Sequence, residues 1–169
     1  LLTSVNRAKD LLSQMEVYFL GNREKNLFFA MVGDFKDAPE EKQETDDIIV
    51  RTMMDGIKEL NSKYSSEGPD RFYYVHRKRT FNKSQNRWMG WERKRGAILE
   101  FNRLLRGETD TGFSIISGDI SQLGNVRYVI TLDADTCLPM GAAKRLIGTI
   151  AHPLNRAYVD EHTQTVVQG

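Results

Sequence analysis

The sequence has a single cysteine and only three histidines, too few for an internal disulfide or for a metal site built from cysteine and histidine. Cys137 cannot form an internal disulfide, which favours a reducing compartment. Its thiol could be reactive, but we expect a small packed residue after a strand. His76, His152 and His162 lie far apart, without the spacing of a zinc site. The apolar run at 27–32 is far shorter than the roughly 20 residues that span a bilayer. These shortages exclude a disulfide-bonded secreted domain, a histidine–cysteine metal centre and a membrane-spanning helix.

The net charge of +1 conceals an uneven distribution of charged residues. Residues 71–106 hold eleven Lys and Arg against two Glu, a balance of +9. The rest of the chain holds thirteen basic and twenty-one acidic residues, a balance of −8. A basic block in an otherwise acidic chain is typical of an anion-binding surface. It is equally consistent with a solvated face of the fold.

The periodicity of the apolar residues predicts an α/β fold in a single domain. Helical spacing occurs in four segments: 3–15, 45–64, 91–105 and 142–151. Short apolar runs predict six strands: 27–32, 71–77, 113–116, 126–132, 157–160 and 165–168. Residues 80–90 are polar, and we expect a loop there. Because helical segments separate most of the strands, the sheet should be mainly parallel, with helices on both faces.

The ends of the chain predict that it is a piece of a longer protein. The sequence opens on Leu1 without a methionine, shows no signal peptide, and stops at Gly169. A sheet edge exposed in such a piece would favour self-association.

Two aspartates follow the predicted strand at 126–132. On an extended backbone, residues i and i+2 point the same way, so Asp133 and Asp135 should face a common point. Such a pair binds Mg²⁺ or Mn²⁺ when a diphosphate supplies further oxygen ligands. The alternative is a turn in which Asp135 or Thr136 caps the following helix.

Asp34 and Asp37 follow the first predicted strand. Their carboxylates could accept hydrogen bonds from a uracil imide or from ribose hydroxyls, or could form an Asx turn before Pro39. Ligands of parallel α/β sheets bind at the carboxyl ends of the strands. We therefore expect both aspartate pairs and the basic block to meet at one edge of the sheet.

Lys94, Arg95 and Gly96 form a basic segment at the start of the third predicted helix. Cations there oppose the helix dipole, so helix stability does not explain them. Binding of phosphate oxygens would explain these cations. The glycine would let a backbone or a ligand approach closely. The same cations could instead form the surface stripe of an amphipathic helix. Trp88 and Trp91, just before this segment, could stack on a base or a sugar, or could anchor packing.

Several of these segments resemble a known family. They are LLTS at 1–4, WMGWERKRG at 88–96, FNRLLRG at 101–107, RYVITLDADT at 127–136 and IGTIAHPLNRA at 147–157. Together they are similar to the glycosyltransferase domain of cyclic β-1,2-glucan synthases, family-2-like enzymes (also family 84) with the GT-A fold. The likeness covers nearly the whole chain.

The resemblance implies a hexosyltransferase that moves glucose from UDP-glucose to a growing β-1,2-glucan with inversion, using Mg²⁺ or Mn²⁺. It implies that Asp133 and Asp135 are the metal-binding DxD motif. Asp34 and Asp37 fall where related enzymes hold the nucleoside. The catalytic base is not identified, and an acceptor site is expected outside residues 1–169.

The resemblance also implies a location and partners. Lys94, Arg95 and Gly96 fall near the segment that contacts the diphosphate. The parent synthases are large inner-membrane proteins whose transferase domain faces the cytoplasm, so a soluble piece of such a protein is expected. The expected partners are UDP-glucose, a glucan acceptor and the rest of the synthase, without nucleic acid. The alternative is a nucleic-acid-binding module built on the basic block at 71–106, which leaves the Asp133–Asp135 pair unexplained.

Overall fold

The computed structural model describes residues 1–168. Within that range lie four helices: α1 (Val5–Gly21), α2 (Asp46–Lys63), α3 (Arg93–Leu105) and α4 (Ala142–Ile150). Seven strands accompany them: β1 (Phe29–Gly33), β2 (Phe72–Arg77), β3 (Thr80–Asn82), β4 (Arg87–Met89), β5 (Phe113–Ser117), β6 (Tyr158–Val159) and β7 (Val166–Gln168). The mixed composition confirms the α/β class.

The main sheet has the order β1–β2–β5, and it is not mainly parallel as the sequence predicted. β1 pairs with β2 in parallel, but β5 pairs with β2 in the antiparallel direction. The reason is the route of the chain between β2 and β5. After the β3–β4 hairpin and α3, the chain returns to the end from which β2 leaves, where Phe113 lies opposite Arg77 and the Lys78 amide donates to the Gly112 carbonyl at 3.1 Å. A strand that starts there must run backwards.

Helices pack on both faces of this sheet, as predicted. On one face α1 and α2 enclose the larger core, with Phe72 and Tyr74 of β2 fully buried against Phe19 and Met53. On the other face α3 covers a smaller cluster that includes Val75 of β2. All six residues of β2 are buried because it is the central strand and both of its faces are covered.

Two predictions of local structure are wrong. Residues 126–132 form no strand in the described part of the chain, and Tyr128, Val129 and Leu132 are exposed. An apolar run carries a tendency to extend, but a strand forms only where another strand offers its edge. Conversely, the polar segment 80–90 is a hairpin in which Phe81 of β3 lies opposite Trp88 of β4.

Two further observations bear on the expectations for single residues and for membranes. Cys137 is exposed, so the packed position expected for it is wrong. No helix within residues 1–168 is both long and apolar enough to cross a membrane.

Candidate functional site

The two aspartates at 133 and 135 are carried by a turn. The amide of Thr136 donates to the carbonyl of Asp133 at 2.9 Å, and both carboxylates are exposed. The premise that an extended strand aligns the two side chains is therefore wrong. The turn is the feature that the alternative interpretation anticipated, although α4 begins only at Ala142 with Gly141 at its N-cap.

Side chains of α1 hold this turn by its backbone carbonyls. Arg7 donates to the carbonyl of Ala134 at 3.1 Å, and the Tyr18 hydroxyl donates to the carbonyl of Thr136. Arg7 and Tyr18 are eleven residues apart, about three helical turns, so they lie on the same face of α1. Neither role is visible in the sequence, because a polar residue on a helix carries no mark of the distant carbonyl that it will bind.

The start of α3 joins the two aspartate-bearing loops. The ammonium of Lys94 forms an ion pair with Asp133, and the guanidinium of Arg93 donates to Asp37 at 2.8 Å. Because these two cations are adjacent in the sequence, the loop after β1 and the 133–136 turn lie on either side of the helix N-terminus. One member of each aspartate pair, Asp37 and Asp133, thus contacts the start of α3, although the parallel sheet from which this was argued is not found.

Asp34 turns inward, where the guanidinium of Arg77 binds both of its carboxylate oxygens at 2.8 and 2.6 Å. The Arg77 side chain is only 1% exposed, and it also contacts Glu100 at 3.2 Å. Burial opposes its charge, but the bonds to the two carboxylates outweigh burial and raise the pKa of Arg77. Arg77 is thus a permanent buried cation that joins the end of β1 to α3.

The same guanidinium holds the turn that precedes α3. It donates to the carbonyls of Trp91 and Arg93, each at 2.8 Å. Gly96 is buried beside this contact, and a Cβ there would overlap the carbonyl oxygen of Trp91. Close packing of the backbone therefore explains the glycine without a ligand. Arg95 extends into solvent and pairs only with Glu92, at 3.2 Å.

The aspartates at 133 and 135 could bind a divalent cation only together with further ligands. Among residues 1–168, no group of three or more His, Cys, Asp and Glu side chains converges on one point. Two carboxylates on an exposed turn suit Mg²⁺ or Mn²⁺ when phosphate oxygens and water complete the coordination. They do not suit a tightly held structural ion.

The comparisons with known proteins can be set beside this geometry. Over all 169 residues, the chain is 37% identical to the cyclic beta-(1,2)-glucan synthase NdvB of Rhizobium meliloti (strain 1021). The chain is similar to part of a glucan synthase. It spans 6% of that protein's length. No protein-family model matches the chain.

The basic block at 71–106 is less basic on the surface than its sequence indicates. Arg71, Arg77 and Arg79 are three of its eleven cations, and all three are buried. Arg71 donates to the carbonyl of Lys25, and Arg79 binds the carboxylate of Asp46. These arginines stabilise loops and are not available to an anionic ligand, whereas Arg93, Lys94 and Arg95 at the start of α3 are exposed.

A buried histidine lies behind the site. His76 is 0% exposed, and its Nδ1 is 2.7 Å from the hydroxyl of Tyr74. Its Nε2 has no hydrogen-bond partner in the described part of the chain. Burial lowers the pKa of His76 to about 4. The ring is therefore neutral at physiological pH and belongs to the core, as its isolation in the sequence indicated.

Proposed function

We propose that this chain is the donor-binding part of a GT-A glycosyltransferase domain in a cyclic β-1,2-glucan synthase of the bacterial inner membrane. The domain would transfer glucose from UDP-glucose to the growing glucan. The observation that carries this proposal is the 37% identity to a glucan synthase along the whole chain. The meeting of Asp37 and Asp133 with Arg93 and Lys94 supports a donor site at the N-terminus of α3.

In this proposal the cations at the start of α3 bind the diphosphate. Lys94 and Arg95 are exposed, and both are paired only with exposed or half-exposed carboxylates. Such surface ion pairs contribute little stability, so a phosphate oxygen can replace the carboxylate partner at small cost. Asp133 and Asp135 would hold Mg²⁺ or Mn²⁺, which when bound neutralises the charge that develops on the departing diphosphate.

The two aspartates after β1 would serve the donor differently. Both carboxylate oxygens of Asp34 are bound by the buried Arg77, so Asp34 positions its neighbours and has little capacity left for a nucleoside. Asp37 is held by the exposed Arg93 at one oxygen, which leaves the other for a ribose hydroxyl or a uracil imide. Of the pair, Asp37 is the better candidate for contact with the nucleoside.

An inverting transfer also needs a carboxylate that accepts the proton of the acceptor hydroxyl. Asp160 is poorly suited to this role. The Thr163 amide and hydroxyl and the His162 amide all donate to its Oδ1, and these bonds lower the pKa of Asp160. A carboxylate that is stabilised in its charged form by a turn is a weak base, so the proton acceptor is to be sought elsewhere in the synthase.

The proposal is tested by calorimetric titration of the 169-residue chain with UDP in the presence and absence of Mn²⁺. We expect metal-dependent binding that Asp133→Asn and Asp135→Asn each weaken about tenfold or more, because each removes a charged oxygen ligand. Asp55→Asn, an exposed aspartate on α2, is the matched control and should leave binding unchanged.

Binding of UDP that is independent of metal, and equal in both variants, would refute the donor site. Salt-dependent binding of RNA without any response to UDP would favour the nucleic-acid alternative.

A further inference from the structure

A groove of about 550 Å³ lies between the β3–β4 hairpin and the turn at 91–93. Its volume falls within the roughly 300–1,000 Å³ of typical small-molecule sites. Phe81 and Trp91 line it and are 46% and 47% exposed, so their rings are open to a ligand. Asn82 and Gln85 also line the groove and supply amide donors and acceptors. Aromatic faces beside amide groups are suited to a ring that is apolar on its faces and polar at its rim.

The groove is held rigidly from behind. The Trp88 amide donates to the Ala38 carbonyl and the Ala38 amide donates to the Trp88 carbonyl, each at 2.9 Å, so the hairpin is fixed to the loop after β1. The Phe81 ring packs on Trp88 with centroids 5.6 Å apart. On the other side, the Trp91 carbonyl is bound by the buried Arg77 at 2.8 Å. A ligand would therefore meet surfaces that are already ordered, which lowers the entropic cost of binding.

The charges of the groove favour an uncharged ligand. Its two ionised side chains, Glu92 and Arg93, are each neutralised by a neighbour outside it. Arg93 donates to Asp37 at 2.8 Å, and Glu92 lies 3.2 Å from Arg95. A phosphate in the groove would approach the carboxylate of Glu92 and would have to displace Asp37 from Arg93. A sugar with only hydroxyl groups meets no such repulsion.

The backbone around the groove is strained. Within residues 1–168, four non-glycine residues have a positive φ, and two of them line this groove: Glu92 at 46° and Arg93 at 49°. Conformations of this kind cost of order 1–3 kcal/mol each and cluster at binding sites.

We propose that this groove binds a neutral β-linked gluco-oligosaccharide, the growing glucan or its acceptor end. The C–H faces of the glucose rings pack on Trp91 and Phe81, while their hydroxyls bond to Asn82 and Gln85. The choice of a glucan over another neutral ring rests on the proposed function. None of the groove's lining residues belongs to the Asp133–Thr136 turn, so the glucan would lie beside the proposed metal site, and Arg93, which holds Asp37, would border both ligands.

The test uses the tryptophan fluorescence of the 169-residue chain. The chain has two tryptophans, so Trp88→Phe leaves Trp91 as the single reporter. β-1,2-linked gluco-oligosaccharides should change its emission in a saturable manner, with or without UDP and Mn²⁺. Phe81→Ala and Gln85→Ala in this background should weaken binding, the former about tenfold. Leu146→Ala, which removes an exposed apolar side chain on α4, is the matched control and should bind like the parent. Circular dichroism confirms that each variant is folded.

Three outcomes would overturn the inference: no binding of the oligosaccharides by the folded chain, equal binding by Phe81→Ala, or displacement of the signal by UDP alone. Failure of the proposed donor site is distinguishable. In that case Mn²⁺ and UDP do not bind, while the oligosaccharide still changes the emission of Trp91.

Discussion

Replacing Arg77 with methionine removes a buried guanidinium that binds two carboxylates and two backbone carbonyls. The carboxylates of Asp34 and Glu100 are only 10% and 13% exposed, so water cannot readily take the place of the lost cation. Breaking a buried ion pair by removing one partner costs about 3–5 kcal/mol. The carbonyls of Trp91 and Arg93 lose a charged donor as well. We therefore expect a loss at the upper end of this range, a large share of the roughly 5–15 kcal/mol of a typical domain.

The measurement is urea unfolding at neutral pH, followed by circular dichroism and tryptophan fluorescence. Arg77→Met/Asp34→Asn should be less destabilising than the sum of the two single changes, because the double variant no longer buries an unpaired carboxylate at position 34. Arg103→Met is the matched control, since Arg103 forms an exposed pair with Glu108 at 2.6 Å and should leave the free energy of unfolding nearly unchanged. A cost below about 1 kcal/mol for Arg77→Met would show that the buried cluster is not the support of the 91–93 turn.

Two further predictions concern the buried residues His76 and Gly96. The pKa of His76 is about 4 in the folded chain against 6.5 in the unfolded chain, so the unfolded state binds more protons between these values. The contribution of His76 to the free energy of unfolding is complete above about pH 6.5, and roughly 3 kcal/mol of it is lost as the pH falls towards 4. Urea unfolding at several pH values in this range should show this decrease in the free energy of unfolding. His76→Phe should remove the pH dependence. Gly96→Ala should destabilise the fold because its Cβ would overlap the Trp91 carbonyl, whereas Gly148→Ala in α4 meets open space and should stabilise the helix by up to about 1 kcal/mol. Equal thermal stabilities for the two alanine variants would contradict this account of Gly96.

The sequence predicted the helices and strands in which buried residues recur at regular intervals. The helices that became α2 and α3, and the strands that became β1 and β2, were placed within a few residues because a continuous apolar face records which side of a helix or strand is buried. It also predicted that both aspartate pairs would meet the basic block at one sheet edge, and the structure shows contacts of Asp37 with Arg93 and of Asp133 with Lys94. The functional assignment came from the resemblance to glucan synthases, and the donor, the metal and the site residues remain predictions.

Only the tertiary structure decided which strand edges pair and which charged side chains are buried. Nothing in residues 126–132 distinguishes an apolar run that finds a strand partner from one that remains exposed, and nothing in 71–106 marks Arg77 as buried and Lys94 as exposed. Local periodicity reports the environment of a side chain along its own helix or strand. The buried ion pairs and the strand directions depend on residues far apart in the chain, whose approach is set by packing of the whole fold.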